Sequence, residues 1–135
     1  MPLSLKWVLL LVAAAFTAAV ASMAAQYLLT RQEAKLMAEP LAHGNVVLGK
    51  VDVVSRGCGS CHSIPGIPGA VGNAGPSLGK VAEQITIAGH FANTPENLEA
   101  WLRHPHEMDP NSGMPDQGLG EKESRDIAAY LYTKR

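Results

Sequence analysis

Two cysteines are all that the 135 residues contain, and they stand three positions apart. No disulfide framework can be built beyond that pair, so the spacing itself needs another explanation. A surplus of charge of one sign is also missing. The net charge is −1, and residues 44–135 carry eight Lys and Arg against ten Asp and Glu. No basic patch is available to hold nucleic acid, which sets that class of partner aside. Docking by long-range electrostatic steering is disfavoured on the same ground. There is no internal repeat and no strand-like alternation, which leaves an all-α reading.

The first thirty residues are a different material from the rest. Trp7 to Leu29 is 23 residues without a charge. At roughly 1.5 Å per residue that is about 34 Å of helix, enough to cross a hydrocarbon core of about 30 Å. A cleaved secretory signal is the alternative, with Lys6 as its positive start and Ser22-Met23-Ala24 as a small-residue cleavage site. The apolar run continues past that point to Leu29, which favours an anchor. Flanking charge does not orient it, since Lys6 lies on one side and Arg31 and Lys35 on the other. Thr30 to Glu39 consists almost wholly of good helix formers, so the helix is expected to run on and stop before Pro40. This gives an anchor with its extension over 1–39, a short linker over 40–45 and a domain over 46–135. Ala14, Ala18, Ala21 and Ala25 form a small-residue stripe of the kind that lets a second membrane helix approach.

Within the domain, a helix is expected over Val46–Ser55 with Val47, Leu48, Val51 and Val54 as its apolar face. Gly57 ends it immediately before the cysteines. Residues 63–79 are dense in Gly and Pro and read as turns and extended loop. Thr94 and Pro95 make a good helix start, and that helix should halt before Pro105. A loop with Met108 and Met114 follows, and a last helix begins near Glu121 with Ile127, Tyr130 and Leu131 inward. Three short helices and a long loop bury little by themselves, so a large apolar object must complete the core.

Cys58-Gly59-Ser60-Cys61-His62 fits C-x-x-C-H, the attachment signature of c-type haem. Two thiols on a tight turn can reach both vinyl groups on one porphyrin edge, and His62 then lies beneath the iron. A redox dithiol would need a βαβ context that this chain lacks. A zinc site would have to recruit His104 and His106, which are spaced too closely for the usual pattern. Covalent haem accounts best for the motif. For the sixth ligand, His90, His104, His106, Met108 and Met114 are available. Met114, on a loop stiffened by Pro115, is preferred, with Met108 as its rival.

Residues 44–135 resemble a class I cytochrome c domain through GKVDVVSRGCGSCH, GNAGPSLG, NTPENLEAWLRHP, PNSGMP and SRDIAAYLYT. The NTPENL–W–P–MP run is similar to the cytochrome c domain fused to subunit II of some bacterial haem-copper oxidases, although the oxidase copper domain is lacking. The resemblance implies thioethers at Cys58 and Cys61 and axial ligation by His62 and Met114. It further implies that the Pro76 carbonyl receives the His62 ring N–H, that Trp101 packs near the haem, and that Gly49 and Tyr130 mark a close helix crossing. A single haem c, held by a domain on the periplasmic side of a bacterial inner membrane, is expected to carry electrons rather than catalyse a reaction. A terminal oxidase or a quinol-oxidising complex is the expected partner. The alternatives are the cytochrome subunit of a periplasmic dehydrogenase, or a gas-binding sensor if the sixth ligand is absent. Ile64, Pro65, Ile67, Pro68 and Val71 are the expected docking patch around the haem edge.

Overall fold

A computed structural model describes residues 3–135 and places them in two compact units, one ending at Glu33 and the other spanning Ala34–Arg135. Helix α1 covers Leu3–Ala42. In the first unit it carries an uncharged, wholly exposed stretch with a mean hydropathy of 2.3, long and apolar enough to cross a membrane. Among the described residues the rest is helical with one minimal hairpin: α2 Val46–Ser55, α3 Pro95–Arg103, α4 Pro105–Met108 and α5 Glu121–Tyr132.

The expected stop before Pro40 does not occur. Proline removes one intrahelical bond, but here it falls within the last turn, where little helix remains to be disrupted. Burial of Ala38 and Ala42 in the second unit's core holds the turn in place. The helix ends two residues later in a Schellman arrangement. His43 adopts a left-handed φ of 49°, and the Gly44 N–H returns to the Glu39 carbonyl at 3.2 Å. The six-residue linker expected over 40–45 thus shrinks to His43–Asn45.

Asn45 caps α2, its Oδ1 accepting the N–H groups of Val47 and Leu48 at 2.9 and 3.0 Å. The Asn45 N–H donates to the buried Asp126 carboxylate at 2.7 Å, which also takes the Lys122 ammonium at 2.6 Å. Asp126 therefore ties the start of α2 to α5, the main helix pair of the domain. A side chain on Gly49 would run into the Asp126 carbonyl, so its absence permits the close approach. The backbone facing Gly49 is Asp126–Ile127, one turn before Tyr130, where the crossing was expected. The apolar face of α2 also differs from expectation. Gly49 and Val53 are buried, whereas Val47, Val51 and Val54 are 55–59% exposed. A helix apolar on nearly every side gives periodicity no unique inward direction, and the glycine contact selects it.

Helix α3 starts as expected, with Thr94 Oγ1 accepting the Asn97 N–H and Pro95 in the first turn. The chain before it forms an antiparallel pair, β1 Thr86–Ile87 and β2 Phe91–Ala92, where no strand was expected. Two residues per strand are too few to leave a period-two signal. Helix α4 is a single turn inside the segment read as loop. The core consists of α5 from Ile127 to Tyr132, Leu98 and Leu102 of α3, Val53, Ile64 and a few neighbours.

Candidate functional site

The Cys–Cys–His segment follows directly from how α2 ends. Gly57 takes φ of 69°, a left-handed conformation suited to glycine, and turns the chain into a 3-10 turn at Cys58–Ser60. The amides of Cys61 and His62 both donate to the Cys58 carbonyl, at 3.3 and 3.0 Å, so both thiols and the imidazole are fixed by one tight turn. Burial pushes the Cys58 thiol above its ordinary value. A redox dithiol needs the opposite shift, toward thiolate.

His62 is held from the far side of the loop. Its Nδ1 lies 2.7 Å from the Pro76 carbonyl, and a carbonyl only accepts, so Nδ1 carries the hydrogen. In the neutral ring this tautomer leaves the lone pair on Nε2, the state required of a metal ligand. The imidazole is seated against Gly75, where even a methyl side chain would collide with the ring. Sequence reasoning missed Gly75, because nothing local to it announces a ring thirteen residues back.

The remaining residues fall into two groups. Met114 is half-buried, packed against the core, with its N–H on Ser112 Oγ at 3.0 Å. Trp101, Phe91 and Leu78 are likewise partly buried against the core, Trp101 lying 6.1 Å from the Phe91 ring. The other candidates of the sequence have these neighbours. His90 packs on Phe91 at 4.2 Å, His104 lies 3.7 Å from Glu107, and His106 bonds the Ser112 carbonyl. Met108 ends α4. Among the described residues no three His, Cys, Asp or Glu side chains converge on a common point. Of the expected docking patch, Ile64 belongs to the core at 2% exposure, whereas Val71 is 81% exposed with Pro65 and Pro68 also outward.

The family model for cytochrome c matches residues 46–134. The chain belongs to the cytochrome c family. A cytochrome c oxidase subunit 2 from Alkalihalophilus pseudofirmus is 36% identical over 75 residues, 55% of this chain. The chain spans about a fifth (21%) of that relative's length. No solved structure matches it. The cytochrome carries covalently bound haem c, and its cysteine pair suits that attachment. The residues present fit the group: two thiols on one turn, an imidazole with Nδ1 already committed, a thioether on a half-buried loop, and partly buried aromatic and aliphatic side chains. Electron transfer is the activity that this family membership gives the domain.

Proposed function

We propose that this cytochrome is anchored in a bacterial inner membrane by α1 and passes single electrons, on the periplasmic side, to or within a terminal oxidase complex. The observation that carries the reading is the 36% identity to an oxidase subunit 2, found in a chain with its own apolar helix. The first 42 residues are then the anchor and its extension, and 46–135 the haem domain.

In this reading Cys58 and Cys61 would hold the haem through two thioether bonds. His62 Nε2 and Met114 Sδ would be the side chains that ligate its iron. The Pro76 carbonyl orients the imidazole and makes it a better donor. Trp101 would pack beside the ring. When bound, the haem supplies one-electron redox chemistry, and Met in place of a second His raises its potential toward the oxidising end of a respiratory chain. Pro65, Ile67, Pro68 and Val71 form the apolar surface for docking.

Two features support a stoichiometric subunit over a roaming carrier. The joint between α1 and α2 is only three residues, and Ala38 and Ala42 near the end of α1 are buried in the domain's core. A tether this short makes docking to a neighbouring membrane protein effectively intramolecular, at millimolar-scale concentration. The exposed Val47, Val51 and Val54 stripe is also apolar surface of a kind that marks interaction sites. Purification of the full chain in mild detergent through a tag after Arg135 tests the proposal. The expected result is an oxidase complex with the cytochrome at one copy. Recovery of the cytochrome alone at every detergent strength would leave a tethered shuttle instead.

A further inference from the structure

Asp109 to Gly120 contains no helix or strand, so side-chain contacts must decide where Met114 sits. Most of the bonds within this loop are local. Ser112 N–H donates to the Asp109 carbonyl at 2.9 Å, Asn111 N–H to Asp109 Oδ1 at 3.0 Å, and Met114 N–H to Ser112 Oγ. These shape the turns without fixing the loop against the helices. Its far end is tied down where Arg56 Nη1 reaches the Gln117 carbonyl at 3.4 Å. His106 holds the portion around the methionine. Its Nε2 lies 3.1 Å from the Ser112 carbonyl, and its Nδ1 lies 3.4 Å from Oδ1 of Asp116. The two contacted residues stand two before and two after Met114, and the hydrogen bond is the one to Ser112.

We propose that His106 is a positioning residue that staples the Met114 loop to α4 through the Ser112 carbonyl and so keeps the thioether at the iron. The proposal rests on the reading of Met114 as the axial ligand. The staple has a firm base. Pro105 is buried at the first position of α4, and the Asp109 N–H closes that turn on the Pro105 carbonyl at 2.8 Å. The Ser112 carbonyl only accepts, so His106 Nε2 is the donor and the ring orientation is set. Nδ1 lies beside the Asp116 carboxylate at 3.4 Å, a contact and not a second hydrogen bond. A ligand on an irregular loop is productive only if the residues behind it are themselves held, and His106 supplies that second layer. The same side chain was a candidate ligand on sequence grounds; here it serves the ligand loop.

The test uses the full-length haem-loaded protein in detergent, comparing wild type, His106→Ala, His106→Gln and Met114→Ala. Three quantities are read: the weak far-red sulfur-to-iron absorption of the oxidised form, carbon monoxide uptake by the reduced form, and amide exchange over 112–117. His106→Ala should weaken the absorption, raise the carbon-monoxide-accessible fraction roughly fivefold to tenfold, as loss of one net hydrogen bond implies, and speed exchange at Met114. Glutamine places an amide N–H near the position of Nε2, so His106→Gln should restore most of all three. Wild-type behaviour in His106→Ala would overturn the proposal, as would a glutamine variant as impaired as the alanine one. A wild type that lacks the absorption and is unaltered by Met114→Ala would overturn the axial reading, and the staple with it.

Discussion

Tyr132 shows how much a single buried side chain organises. Its hydroxyl donates to Asn93 Oδ1 at 3.0 Å, while Asn93 Nδ2 donates to the carbonyls of Val81 and Gln84 at 2.7 and 2.8 Å. The end of α5 is thereby fastened to the hairpin and to the approach of α3. Burial, reinforced by the charges of Glu96 and Glu99, pushes the phenol up to about 12 from an ordinary 10.0. The sign of the effect on stability follows. Below pH 10 the phenol is neutral in both states and the contribution is complete. Between 10 and about 12 the unfolded chain loses its proton first, so stability falls as pH rises through that window. Tyr132→Phe should abolish this alkaline decline, at a cost of roughly 1 kcal/mol at neutral pH from the lost hydrogen bond. Thermal melts from pH 8 to 12 would check it: parallel declines in the two proteins would mean that another group governs the alkaline limb.

At the scale of elements, the α2–α5 pair rests on one missing side chain and two carboxylates. Gly49→Ala drives a methyl into the Asp126 carbonyl, and separating the helices should cost about 2 kcal/mol or more; an unchanged denaturant midpoint would refute that contact. Glu123 joins the ends of the same helices, capping α5 through the Gly120 N–H at 3.0 Å and pairing with Arg56 beside the cysteine turn. The backbone bond, then Arg56, holds its carboxyl below the ordinary carboxylate value. Ionised Glu123 thus adds stability above the usual carboxylate range, lost as pH falls through it toward the lower folded value. Glu123→Gln should melt earlier than wild type at neutral pH, the gap closing on acidification. The start of α5 at Glu121 and the Thr94–Pro95 start of α3 were legible because helix-start signals are local. So was the Cys–Cys–His turn, whose geometry lies within five residues. The inward face of α2 was not, because valines occupy nearly all its sides and the deciding contact is with a residue 77 positions later. The expected stop at Pro40 fails for a related reason: a local rule gives way to burial of Ala38 and Ala42. What surrounds the imidazole and the methionine loop likewise depends on pairings that spacing does not encode, such as Gly75 against His62.

For the whole molecule, the decisive quantity is how little the chain buries by itself. Its largest fully buried side chains are Ile64, Ile127, Leu131, Val53, Pro105 and Ser124, and the only aromatic rings buried beside them among the described residues are Tyr130 and Tyr132. Phe91, Trp101 and Met114 pack against that core only partly. A domain of this size with so small a core is marginal unless a large apolar group adds to it, and covalent haem is such a group. Replacing both Cys58 and Cys61 with alanine should therefore do more than prevent attachment: it should remove the cooperative fold of the domain. The two units make the loss measurable. Helix α1 holds 40 residues, whereas α2 to α5 together hold 35. The apolar part of α1 satisfies its own backbone bonds within a micelle and should persist. The double variant in detergent should then lose roughly half of the helical circular dichroism of the haem-loaded protein and show no sharp thermal transition. A haem-free protein that keeps its full helical signal and melts cooperatively would show that the side chains alone suffice and that haem is not needed to complete the core.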